Sequence, residues 1–177
     1  MQVRERLSDI KRVELTTQES ALRIISKEGR LANCADRDHC LQYMVSVVLA
    51  FGDLHAENYS DSFHERHEIL DELRSTMIVQ EDTRYSIDYH EPAKRSIANA
   101  VQVFFKDGSC TKKVEVDYPL GHRRRREEGL PVLISKFKKN VATRFDEERC
   151  SEIFALFEDR ATLQAMPVDE FMQVFVV

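Results

Sequence analysis

The residues most able to do chemistry are gathered in Asp36-Arg37-Asp38-His39-Cys40-Leu41-Gln42-Tyr43. His39 and Tyr43 are four apart, the spacing that puts two side chains on one helix face. With Arg37 beside them they could bind and polarise a carboxylate or hydroxyl substrate, or carry a proton. The plainer reading is a capped helix start followed by a core tyrosine, and the pattern alone favours it. Asp36 or Asp38 would supply the cap. From Cys40 to Phe51 nearly every position is apolar, and Gly52 follows as a stop signal. The stretch from Asp36 to Gly52 therefore reads as one buried central helix, slightly short and too charged at its start for a membrane span.

Other clusters are weaker. His64-Glu65-Arg66-His67-Glu68 evokes zinc, but a helical zinc pair needs histidines four apart and these are three apart. A solvated helix start is the better account, and no metal is expected. His122 leads the run Arg123 to Arg126. Arginine forks suit carboxylates and phosphates. Glu127 and Glu128 follow at once, and no aromatics interleave as a base-stacking surface requires. Local ion pairs, or binding of a polycarboxylate, are preferred to nucleic acid. No nucleotide-binding glycine pattern and no Ser-His-Asp set is present.

The elements that position these residues can be read in outline. Ile10–Thr17 alternates like a strand, Ser20–Lys27 reads as a short helix, Glu65–Ser75 as another, and Met77–Asp82 as a short strand. Residues 53–63 look like polar turns, and 83–95 are mixed around Pro92. Ala98–Phe105 and Cys110–Tyr118 form a hairpin about Asp107-Gly108. After Pro119 the pattern becomes helical: Pro131 to about Phe145, a helix capped by Asp146, and a last one from Met166-Pro167. The fold class is α+β, helices on a small, mostly antiparallel sheet, then C-terminal helices. The boundary falls near residue 120, giving units 1–120 and 121–177.

The chain has 177 residues, a net charge of -5 and 32% charged residues. That suits a globular protein with no general pull toward nucleic acid or acidic membranes. Four cysteines without CxxC spacing suggest reduced thiols. The opening twelve residues hold several arginines, but Glu5 and Asp9 argue against a transit peptide, so no targeting segment is expected.

Longer stretches go further. TQESALRII, ADRDHCLQYMV, YHEPAKRSIANAVQVFFKDG, YPLGHRRRREEGLPVLISKF and AMPVDEF resemble, in order and over essentially the whole chain, the methylcitrate branch of the MmgE/PrpD superfamily. The resemblance implies a partial lid domain, residues 1–120, followed by returning helices of a large all-helical domain, residues 121–177. It implies dehydration of 2-methylcitrate to 2-methyl-cis-aconitate in propionate breakdown, with no cofactor. A base must take a proton beside a carboxylate while an acid protonates the departing hydroxyl. Family members are much longer, and most of their pocket residues lie before the matching region. The family tyrosine of the QY pair matches Tyr43, and a neighbouring histidine matches His39. Arg37, His122 and Arg123 are further candidates for substrate binding. Expected partners are a tricarboxylate, if a helical domain completes the site, and a second subunit in the full-length family, with neither nucleic acid nor membrane. The expected setting is soluble and intracellular, mitochondrial for a eukaryotic relative and cytoplasmic for a bacterial one. The alternative is a non-catalytic fragment that binds or regulates a full-length relative.

Overall fold

The computed structural model describes residues 3–176, which divide into two compact units with the boundary between Pro119 and Leu120. The chain is an α+β fold. In the first unit four strands form one sheet in the order β2-β1-β3-β4: β1 (Ile10–Thr17), β2 (Met77–Glu81), β3 (Asn99–Phe105) and β4 (Val114–Val116). β1 runs parallel to β2 and antiparallel to β3, which runs antiparallel to β4. Alternation decides which face is dry. Val13 pairs with Val103 and Leu15 with Val101 on one face, while Glu14 opposes Gln102 on the other.

Two of the helices cover the dry face. α1 (Glu19–Ile25) and α2 (Cys34–Asp38) precede α3 (Leu41–Phe51), α4 (Asp61–Glu65), α5 (Ile69–Ser75) and α6 (Thr83–His90). Leu41, Val45 and Leu49 of α3 recur every fourth residue and pack with Leu73 on Ile10, Val13, Leu15, Val103 and Phe105. The next stripe of α3, Tyr43 and Val47, packs instead on Leu31, Cys40 and Leu70, with Tyr59 and Phe63 at the margin. Two buried stripes on one helix explain why its sequence is apolar almost throughout. It is not buried all round: Val48 and Phe51 are exposed.

The expected single helix from Asp36 to Gly52 is two helices. His39 ends α2 and Cys40, in an extended conformation, precedes α3 without a side-chain cap. The cap expected of Asp36 or Asp38 is Asn33, whose side chain accepts the Asp36 N–H at 2.9 Å. Gly52 does stop α3, in the left-handed region at φ 88°. β1 matches its expected span, and a strand lies where Met77–Asp82 predicted one. The turn-like 53–63 segment instead holds a 3-10 turn, Ala56–Tyr59, and the start of α4. The mixed stretch after Asp82 is helix α6, capped by Asp82 accepting from Arg84 N–H at 2.8 Å.

The hairpin keeps its Asp107-Gly108 turn, with Gly108 at φ 86°, but β4 is short. Phe104 bridges Cys110, whereas Val101 pairs with Val114. One additional residue on the returning side is absorbed between these pairs, so the ladder is broken there.

The second unit is helical: α7 (Arg126–Val141), α8 (Glu147–Glu158), α9 (Arg160–Ala165) and α10 (Val168–Gln173). α7 begins ahead of the expected Pro131 and runs through it. Glu127 and Glu128 favour that earlier start, because carboxylates suit the positive end of a helix. Asp146 caps α8 as expected, accepting the Arg149 N–H at 2.9 Å. Ile153 is fully buried, and Phe137 meets Phe157 edge-on with ring centroids 5.1 Å apart. Leu133 and Ile134 of α7 are exposed. No helix among the described residues is long and apolar enough to cross a membrane.

Candidate functional site at the α2–α3 corner

The break at His39-Cys40 separates the candidate residues. Tyr43 sits in the first turn of α3 and is fully buried. Its hydroxyl donates to the Asn58 carbonyl at 2.8 Å. Burial pushes the phenol up to about 12, against the opposing pull of the Arg37 charge. Arg37, on α2, is 2% exposed. Its Nε–H donates to the Tyr59 carbonyl at 2.7 Å and its terminal nitrogen pairs with Asp61. Two side chains from consecutive helices thus hold two consecutive carbonyls of the segment before α4. A buried guanidinium requires such partners, since desolvating it without them would cost several kcal/mol.

His39 lies outside α3, so it does not share a helical face with Tyr43. It is largely exposed, with Nδ1 against the Asp38 carboxylate. An imidazole held by a neighbouring carboxylate at a surface is suited to proton exchange with a bound molecule. Asp36, in the same turn, has its carboxyl held below the ordinary carboxylate range by the Ala32 N–H first, and by Lys27.

His64 and His67 go separate ways. The His64 ring lies tilted against that of Tyr43, centroids 5.7 Å apart, with Nε2 3.4 Å from Asp71. His67 Nδ1 lies 2.6 Å from the Phe63 carbonyl. Among the described residues no three His, Cys, Asp or Glu side chains gather as metal ligands. A cleft of about 510 Å³ opens beside the corner, lined by Arg30, Arg37, Asp61, His64 and Asp71 among others. Its lining mixes cations and carboxylates. His64 enters from the sequence only as a possible metal ligand; no pattern in the sequence announces its contact with the Tyr43 ring.

In the second unit His122 caps a 3-10 turn, Arg123–Arg125, its Nδ1 accepting the Arg124 N–H at 3.1 Å. Arg125 pairs with Glu128 at 2.7 Å, which raises the arginine and lowers the glutamate from their ordinary values. The local ion pairing expected of this run is present at Arg125. Arg123 lies in the same turn, ahead of α7.

Comparison with known proteins agrees with the motifs. The MmgE/PrpD C-terminal domain matches residues 1–159. The 2-methylcitrate dehydratase of Salmonella typhimurium is 47% identical over 170 residues, 96% of this chain and 35% of that protein. The enzyme of the same name from Cupriavidus necator is 48% identical over the same shares. The mitochondrial 2-methylcitrate dehydratase of Yarrowia lipolytica is 45% identical over 168 residues, 95% of this chain and 32% of its own. The chain spans about a third of the length of the curated relatives it matches. With a family match over most of its length and relatives of this identity, the chain belongs to the MmgE/PrpD family and corresponds to its C-terminal portion.

Proposed function

We propose that this chain is the C-terminal part of a hydro-lyase that dehydrates 2-methylcitrate to 2-methyl-cis-aconitate in propionate breakdown, and that it is inactive alone. The observation that carries this reading is the 47% identity over 96% of the chain to an enzyme of that name, against 35% coverage of the enzyme itself. In this reading the α2–α3 corner is one wall of the pocket. His39 and Tyr43 take part in proton movement or substrate orientation, and His122 and Arg123 serve the carboxylates. Arg37, spent on Tyr59 and Asp61, contributes by holding the wall. The substrate needs cationic and hydrogen-bonding groups where charge develops, and a second polypeptide segment must bring the rest. The compartment would follow the host: mitochondrial, as in the Yarrowia relative's name, or cytoplasmic in a bacterium. As in the full-length family, the completed enzyme would work as a homodimer.

A 2-methylcitrate dehydration assay tests this, run on the 177-residue protein with and without the N-terminal part of a relative supplied in trans. The expected result is no turnover alone and measurable turnover with the added part. Turnover by the chain alone would refute the claim of inactivity.

A second reading, a non-catalytic protein that binds a full-length relative or an N-terminal half, is favoured by one observation. Leu130, Leu133 and Ile134 form a stripe on α7 that stays exposed, continuous with Phe137, which is covered by α8. Failure of the purified chain to retain either partner on a column counts against it.

A further inference from the structure

Gln42 is 5% exposed, a buried polar side chain in the first turn of the mostly apolar α3. A buried amide is tolerated where both its donor and its acceptor are met. Here Oε1 accepts the Lys27 N–H at 3.4 Å, and Nε2–H donates to the Ser26 hydroxyl oxygen at 3.1 Å. The Cys40 Sγ lies 3.6 Å from the same Oε1 and 3.8 Å from the Lys27 carbonyl oxygen, in reach of either as a donor.

The segment after α1 is thereby strapped across the break between α2 and α3. Its start, Ser26-Lys27, is held on the α3 side by Gln42 and Cys40. On the α2 side Lys27 Nζ pairs with Asp36 at 3.2 Å, and the Ala32 N–H donates to the same carboxylate at 3.0 Å. Between these anchors Cys40 is fully buried and extended, at φ -127° and ψ 107°. Its N–H donates to the Arg37 carbonyl at 3.3 Å. This turn closes α2 and sets the direction in which His39 leaves the backbone. Gln42 bonds to both the strap and Cys40.

In the reading above His39 takes part in proton movement. On that reading we propose that Gln42 is a positioning residue for His39: by clamping Ser26-Lys27 onto Cys40, it fixes the turn that presents the imidazole at the pocket wall. Gln42 acts through the backbone of the turn and not on the reacting atoms. An uncharged amide lends no charge there, so its effect is geometric. Misplacing a reacting group by about 1 Å costs roughly a hundredfold in rate.

A double-mutant cycle tests it in the dehydration assay with the N-terminal part of a relative supplied in trans. Gln42→Met keeps the side-chain length and removes both polar groups. It should lower kcat about tenfold at nearly unchanged KM. In a His39→Gln background the same substitution should cost nothing further, because the group it positions is gone. Gln42→Glu keeps acceptors for Lys27 and Cys40, and the Ser26 hydroxyl can turn to donate, so it should recover most of the loss. An equal loss in both backgrounds, or no loss in either, would overturn the proposal and leave Gln42 as a packing residue.

A second measurement needs no turnover. In carbon-13 spectra of the 177-residue chain, the His39 ring signals, assigned with His39→Gln, should move in Gln42→Met and return in Gln42→Glu, with unchanged far-ultraviolet circular dichroism. Ser26→Ala, which removes only the contact to Nε2, should move them in the same direction and replaces Gln42→Met if that variant does not fold. Unmoved ring signals would overturn the proposal. Failure of the unsubstituted pair to dehydrate 2-methylcitrate would instead strike the proposed function, and the ring signals alone would then decide whether Gln42 holds His39.

Discussion

The Tyr43 hydroxyl donates to the Asn58 carbonyl at 2.8 Å, so α3 is tied to the segment that leads into α4. Removing the donor leaves a buried carbonyl unpaired. Tyr43→Phe should therefore destabilise the first unit by about 1–3 kcal/mol, read as a lower urea midpoint at unchanged slope. An unchanged midpoint would mean that water takes the place of the hydroxyl. In an enzyme completed by an N-terminal part, unchanged turnover with the same substitution would leave Tyr43 as a packing residue.

The same phenol gives a pH dependence. Burial raises it to about 12 in the folded chain, above its ordinary value near 10. The folded state thus holds the proton more tightly than the unfolded state. The contribution is complete below pH 10 and is lost as pH climbs through about 12. Burial also raises Tyr85 and Tyr59, so ultraviolet titration should show a late tyrosine component that shrinks by one residue in Tyr43→Phe.

Asp107 behaves oppositely. The Ser109 hydroxyl and N–H, and then Arg6, hold its carboxyl down to about 2. A lowered carboxylate favours the fold above the ordinary value and loses that contribution as pH falls toward 2. Carbon-13 titration of the Asp107 carboxyl should give a midpoint well below that of a free aspartate. Ser109→Ala should move the midpoint up, since both its distance to the Asp107 carboxylate, 2.6 Å, and its donor role mark the hydroxyl as the largest contributor.

Gly129 sits early in α7, and a β-carbon there would lie 2.3 Å from the Leu120 carbonyl oxygen. A backbone atom cannot swing aside as a side chain can. Gly129→Ala should shift the chain before α7 and lower the stability of the second unit, although alanine is intrinsically the better helix former by roughly 1 kcal/mol. A raised melting temperature would show that the Leu120 turn yields freely.

Much of this was legible in the residues. Alternation in Ile10–Thr17 marks β1, Asp107-Gly108 marks the hairpin turn, and Asp146 marks the start of α8, because each is a local preference of backbone or side chain. The family, too, is carried by contiguous motifs such as ADRDHCLQY. Helix α6 escaped because its apolar residues are few, and its Asp82 cap and packing of Tyr85 against Ala98 and Ala100 complete it.

The α2–α3 corner shows what spacing alone leaves open. His39 and Tyr43 are four residues apart, but the chain turns at Cys40, whose thiol is buried beside Leu31 and Leu70. That contact comes from residues distant in sequence, and it sends His39 to the surface and Tyr43 inward. Sequence determined that an imidazole, a guanidinium and a phenol would be neighbours along the chain. Tertiary packing decided that the guanidinium and the phenol each hold a carbonyl, because a buried donor must find an acceptor wherever the fold supplies one.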